Sequence, residues 1–200
     1  MSVWAETPTL AGRHVKLWPL QETDLDALAA AASAGDLWDT FYANVSQMKA
    51  PEAWFAAAMR DQAFGRARVF AVLDAGGAVV GTTRFMRMAQ PHRRLEIGGT
   101  FYAKAAQRTG VNTEAKLLLL SHAFGELDCQ CVQIRTDSLN LKSQAAIERL
   151  GARRDGVLRG HQVAAGGRLR DTVVYSILAH EWPGVRQNLA FLLARHEERA

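Results

Sequence analysis

The chain has 200 residues, 48% hydrophobic and 22% charged, with a net charge of +4 and a pI near 9.4. That composition fits one globular domain with a sizeable core and excludes a disordered or low-complexity chain. No apolar run approaches the roughly 18 to 20 residues that cross a bilayer, and the basic residues are scattered rather than gathered in a stripe. Neither a membrane nor a nucleic acid is therefore expected as a partner.

In chain order, Arg13 to Trp18 alternates polar and apolar residues, as a half-buried strand does. Thr23-Asp24 caps an alanine-rich helix, Leu25 to Ala34, which Gly35 ends. Pro51, a residue favoured in the first helical turn, opens a second helix that runs to Gly65. Strands Arg68 to Leu73 and Ala78 to Met86 flank the hairpin turn Asp74-Ala75-Gly76-Gly77, and Leu95 to Tyr102 joins them. A polar loop, Gln107 to Glu114, then leads into the apolar run Ala115 to Phe124. Val132 to Asp137 is a short strand, and Leu141 to Leu150 a helix with Asn140 before it and Gly151 at its end. Strands Gly156 to Val163 and Thr172 to Leu178 are joined through Ala165-Gly166-Gly167, and an amphipathic helix runs from Glu181 to about Glu197. Strands grouped before one crossover helix imply an α/β (α+β) domain, residues 1–200, with a mixed sheet and helices on both faces.

The N-terminal stretch Met1 to Leu10 lacks the basic-then-apolar order of a secretory signal. Cys129 and Cys131 have no His or Cys partners at metal spacing; reduced thiols on one face of a strand near the core, and a cytoplasmic location, are expected.

Two segments carry chemistry. The helix after Asn112 is apolar almost all round, so it is buried and its N-terminus is fixed in place. Unpaired N–H groups and a partial positive charge make that end a ready anion site. Asn112 is expected as the cap and Gly110 as the residue that permits a tight turn or a close backbone approach; in the competing account the loop binds nothing and Glu114 alone satisfies the helix dipole. No Gly-Lys-Ser/Thr follows, which excludes a P-loop, and the three glycines of a dinucleotide fingerprint are missing. In the second segment helical spacing aligns Ser143 with Ala146, Ile147 and Leu150, so the serine shares the buried face in the first turn. The competing local account is that Asn140 caps the helix and Ser143 bonds to nearby backbone.

Taken together the segments resemble the GCN5-related N-acetyltransferase (GNAT) superfamily, in its ribosomal-protein-acetylating, Rim-type branch. Gln107-Arg108-Thr109-Gly110-Val111-Asn112 is similar to the Gln/Arg-x-x-Gly-x-Gly/Ala acyl-CoA loop, with Asn112 in place of the last small residue. Asn140-x-x-Ser143, running on to Ala152, is similar to the branch's second signature, as Arg170 to Leu178 before Glu181-Trp182-Pro183 is to its ending. The resemblance spans Leu10 to Trp182. It implies a mixed, mostly antiparallel central sheet of about seven strands and an N-acetyltransferase that uses acetyl-CoA and no metal.

The resemblance further implies a cofactor cleft where Leu95 to Tyr102 splays from Val132 to Asp137. Gln107, Arg108, Thr109, Gly110, Val111, Asn112 and Thr113 would cradle the pyrophosphate, and Asn140 would bond the pantetheine arm or nearby backbone. Ser143 is the implied proton donor or sulfur ligand. The acceptor is an amine, either of a protein N-terminus or of a small molecule. Glu96 is the expected general base, on the strand face of Gly98 and Thr100; its alternative is a surface carboxylate paired with Arg93 or Arg94. His161 is the second candidate base and, with Tyr42 beside Trp38 and Phe41, an expected lining of the acceptor mouth. The alternative function is a non-catalytic acyl-CoA-binding regulatory protein. A homodimer stays open, since the last helix suits either intramolecular packing or an interface.

Overall fold

The structure, a computed structural model, describes residues 2–34, 44–164 and 166–198. Strand β1 (Leu10–Ala11) turns back into β2 (Val15–Pro19), and helices α1 (Leu25–Ser33) and α2 (Pro51–Ala63) follow. The meander β3 (Ala67–Asp74), β4 (Val79–Ala89) and β5 (Arg94–Tyr102) leads into α3 (Gly110–Gly125). Then come β6 (Cys131–Asp137), α4 (Leu141–Arg149), the hairpin β7 (Arg153–Val163) and β8 (Leu169–Leu178), and finally α5 (Trp182–Glu197). The strands form one eight-stranded sheet in the order β1-β2-β3-β4-β5-β6-β8-β7, antiparallel except where β5 meets β6. Seven of them are the expected strands; the eighth, β1, is a two-residue strand too short to leave a periodic trace.

Both faces of the sheet are covered, and β3 shows why its residues are apolar almost without a break. Phe70 and Val72 point into a core shared with Ala115, Leu119, Leu120 and Ala123 of α3, while Val69, Ala71 and Leu73 pack with Leu28 of α1 and Trp54 of α2. Helix α5 lies on α3, with Val185, Leu189 and Leu193 buried and Trp182 stacked on Phe124 at 5.4 Å between ring centroids. Its apolar stripe is thus used within the chain.

Glu114 departs from expectation. Instead of serving the helix dipole, its carboxylate accepts the backbone N–H groups of Arg13, His14 and Val15 at 2.9, 2.6 and 2.9 Å, clamping the β1–β2 turn onto α3. The thiols differ in part as well. Both are free, but Cys129 precedes β6 and only Cys131 belongs to it. Burial pushes the Cys129 thiol up to about 12, which makes it an inert core group. Among the described residues no helix is long and apolar enough to cross a membrane, and no group of His, Cys, Asp and Glu side chains could hold a metal ion.

Candidate active site

Strands β5 and β6 run parallel but pair at only three positions, Arg94 with Cys131, Leu95 with Val132 and Glu96 with Gln133. Beyond Glu96 they part: β6 continues against β8 as far as Asp137 and β5 against β4 as far as Tyr102. The facing edges past this point carry backbone N–H and C=O groups with no partner strand, an opening suited to an extended ligand that has amides of its own.

The N-terminus of α3 stands at the mouth of this opening. Arg108, in the left-handed region at φ 62°, swings the chain into Thr109, whose backbone is still extended. The Thr109 hydroxyl donates to the Ala106 carbonyl at 2.7 Å and accepts from the Val111 N–H at 3.3 Å. The cap is therefore Thr109, and the expectation of Asn112 is corrected. A cap must be the last residue with non-helical backbone, and Asn112 already lies in the first turn. Gly110 is not a turn glycine either. It is buried, and a Cβ there would lie 3.0 Å from the imidazole carbons of His14, so the close approach it permits is to the residue entering β2.

The first turn of α4 faces that end of α3. Asn140 Oδ1 accepts from the Ser143 N–H at 2.9 Å, the local capping arrangement. Ser143 is half-buried above Ile147, and its hydroxyl has no partner among the described residues. Lys142 Nζ donates to Gln107 Oε1 at 3.0 Å, and Gln107 Nε2 donates to the Tyr102 carbonyl at 3.0 Å. Arg149 donates to the Thr113 hydroxyl at 3.3 Å. The two segments, 35 residues apart at Gln107 and Lys142, are thus brought together. Nothing in the sequence marks Lys142 or Arg149, because basic residues on a helix usually face water. Tyr175 supports α4 from β8: its hydroxyl donates to Glu148 at 2.9 Å, and burial, then that bond, pushes its pKa up to about 12.

On the sheet face opposite α3, Glu96 is 5% exposed and is no surface carboxylate. Its partners are Arg87 at 3.0 Å and Arg135 at 3.2 Å, whereas Arg93 pairs with Asp128. Burial raises the Glu96 pKa, and Arg135 and Arg87 pull it back in part. His161 Nδ1 lies 3.0 Å from the Thr172 hydroxyl, and burial first, then Arg135, Arg87 and Arg170, lower its pKa and keep it neutral near pH 7. Alternation along β6 was the available signal for Arg135, but its meeting with Glu96 depends on the β5–β6 register. Tyr42, Trp38 and Phe41 lie outside the described residues.

A family model of the GNAT acetyltransferase domain matches residues 14–153. YdaF of Bacillus subtilis (strain 168), provisionally named a ribosomal N-acetyltransferase, is 34% identical over 108 residues; the match covers 54% of this chain and 58% of YdaF, little more than half the length of that relative. A GCN5-related N-acetyltransferase from Brucella melitensis superposes with a TM-score of 0.83 at 31% identity, over 94% of this chain and 86% of that one. RimJ of Mycobacterium smegmatis, solved in complex with CoA-disulfide, shares the fold with a TM-score of 0.79 at 20% identity, over 94% of this chain and 96% of that one. The matched span takes in the β5–β6 opening and both segments that face it, and the chain belongs to the GNAT acetyltransferase family.

Proposed function

We propose that the protein transfers the acetyl group of acetyl-CoA directly to a primary amine. One observation carries this reading: the α3 N-terminus and the first turn of α4 meet across the mouth of the β5–β6 opening, tied by Lys142 and Gln107. The first N–H groups of α3, through Thr113, have no acceptor within the helix, and Arg108 and Lys142 add positive charge on either side. A diphosphate suits that end, and the pantetheine amides suit the unpaired strand edges. Asn112 in the first turn leaves these N–H groups in place, so its departure from a small residue does not remove the cradle. The M. smegmatis RimJ complex lends CoA to the same fold. When bound, acetyl-CoA supplies an activated thioester.

The chain's own residues then have three tasks. Unpaired N–H groups of β5 beyond Glu96 place donors where a carbonyl oxygen gains negative charge. Ser143 Oγ holds the departing sulfur; a serine hydroxyl is a weak acid, so positioning outweighs proton delivery. Glu96 takes the ammonium proton, being buried where the strands part and raised in pKa. His161, neutral on β7, lines the acceptor's approach.

Thiol release from acetyl-CoA with a panel of amines tests this. Turnover is expected, and Ser143→Ala should lower kcat about 10- to 100-fold with CoA affinity within about threefold of the parent. CoA binding by calorimetry with no turnover on any amine would overturn the reading in favour of an acyl-CoA-binding regulatory protein. An unchanged kcat in the serine variant would remove Ser143 from the chemistry.

A further inference from the structure

Two cations with no carboxylate partner converge on one bulge of β5. Where β5 pairs with β4, Thr82 meets Phe101 and Arg84 meets Gly98, so Gly99 and Thr100 together oppose Thr83. Gly99 is left-handed at φ 57°, and both bulge residues are exposed although Ile97 and Phe101 on either side are buried. The bulge lies past Glu96, on the edge that β6 has left, and before Tyr102, whose carbonyl is tied to Gln107 at the mouth. An extended ligand running from the α3 N-terminus to the parting of the strands passes over it.

On the α3 face the Thr100 hydroxyl lies 2.7 Å from that of Thr83 and accepts from Lys116 Nζ at 3.2 Å. Lys116 is 6% exposed and has no carboxylate partner among the described residues. On the opposite face Arg84 lies over Trp54 of α2, 5.4 Å from the ring centroid, and forms no ion pair among the described residues. Its Nε is buried without a hydrogen-bond partner and lies against the bulge, since a Cβ on Gly99 would come within 2.5 Å of it. Burial lowers the pKa of both groups, in Arg84 against a partial offset from Asp61. Charges buried with so little compensation cost stability, and they gather where chemistry uses them.

We infer that Lys116 and Arg84 serve acetyl transfer as positioning residues: from opposite faces of the sheet they hold positive charge against the Gly99–Thr100 bulge, whose backbone N–H groups receive the thioester carbonyl as its oxygen becomes negative. The inference rests on the acetyl-transfer reading above. The amine nitrogen bonds to the thioester carbon as the carbonyl electron pair moves onto oxygen; return of that pair breaks the C–S bond, and the amine proton passes to Glu96. Negative charge on that oxygen is the quantity that fixed cations a few ångströms away stabilise, and they do so without reorganising. Lys116 answers to no other charge. The ionisable groups around it are engaged elsewhere: Glu114 on the β1–β2 turn, His14 with Glu197, His122 over Phe85 and Arg149 with Thr113.

Steady-state thiol release by the parent chain, Lys116→Met and Arg84→Met tests the inference at pH 7 and near pH 10. Each variant should lower kcat about 10- to 100-fold at pH 7, with the KM for acetyl-CoA within about threefold of the parent. Lys116→Met removes an uncompensated charge and folds at least as well as the parent, so its deficit is not lost fold. Lys116 gives up its proton above about pH 8, so the kcat ratio of parent to Lys116→Met should fall toward one near pH 10. A neutral lysine still bonds Thr100; that convergence therefore reports the charge and not the contact. The ratio for Arg84→Met should stay constant, because a guanidinium keeps its proton. Both ratios cancel the titration of Glu96 and of the acceptor amine. A kcat within about threefold of the parent at pH 7 in either variant, or a Lys116→Met deficit equally large near pH 10, would overturn the inference and leave the transferase reading standing. No turnover of any amine by the parent, with CoA still bound, would overturn both.

Discussion

Replacing Glu114 with alanine is expected to destabilise the protein by about 3 to 4 kcal/mol, because one side chain satisfies three backbone donors. A hydrogen bond to an ionised acceptor contributes about 1.5 to 3 kcal/mol net, and the Val15 N–H sits on a residue only 2% exposed, where water cannot replace the lost partner. The N–H groups of Arg13 and His14 are nearer solvent, which holds the total below the sum of three such bonds. The turn is shaped around this carboxylate: a Cβ on Gly12 would lie 2.3 Å from Glu114 Cδ, so the chain approaches as only glycine allows. Losing the clamp also frees the β1–β2 turn from α3 and with it the His14 ring that packs on Gly110. A weaker affinity for CoA should accompany the loss of stability. Urea unfolding of the Ala and Gln variants measures it, and a loss below about 1 kcal/mol in Glu114→Ala would show that the clamp is dispensable.

Lys116→Met is expected to act in the opposite direction, stabilising the protein by about 3 kcal/mol at pH 7. Lys116 is 6% exposed, its ammonium donates to the Thr100 hydroxyl at 3.2 Å, and among the described residues no carboxylate pairs with it. Burial alone lowers its pKa from 10.5 to about 8. A base whose folded pKa lies below its unfolded value binds more protons in the unfolded chain, so stability rises with pH between the two values. Below pH 8 both states are protonated and the fold bears the whole desolvation cost; above about 10.5 both are neutral and that cost is gone. The advantage of the methionine variant should therefore shrink to less than about 1 kcal/mol near pH 10. Equal gaps at pH 7 and pH 10, or a variant no more stable than the parent at pH 7, would contradict a buried, uncompensated ammonium. Methionine suits the site because it keeps the length of the chain and removes only the charge.

Where the sequence was legible, local physics decided the outcome. Alternation in Arg13 to Trp18, the glycine-rich turn before Ala78, and Pro51 at a helix start are read from neighbouring residues, and each appears in the structure within a few positions. The apolar circumference of α3 required a buried helix, and the sheet supplies its cover. Asn140 also capped its helix as its position suggested, since it was the one good cap directly before Leu141. The cap of α3 was ambiguous for the same reason: Thr109, Asn112 and Thr113 all have capping side chains, and the choice follows from the dihedral angles at Arg108 and Thr109.

The sequence by itself determined helices α1 to α5, seven of the eight strands, their order and the two polar segments that mark the family, because each depends on spacing within about a dozen residues. Only the tertiary structure decided what the charged side chains do. Glu96 meets Arg87 and Arg135 because β4, β5 and β6 are adjacent in the sheet, and Lys142 meets Gln107 because β5 and β6 part and let α3 and α4 face each other. Glu114 finds the β1–β2 turn about a hundred residues earlier in the chain. A side-chain charge reaches only a few ångströms, so its partner is chosen by strand register and helix placement, not by position along the chain.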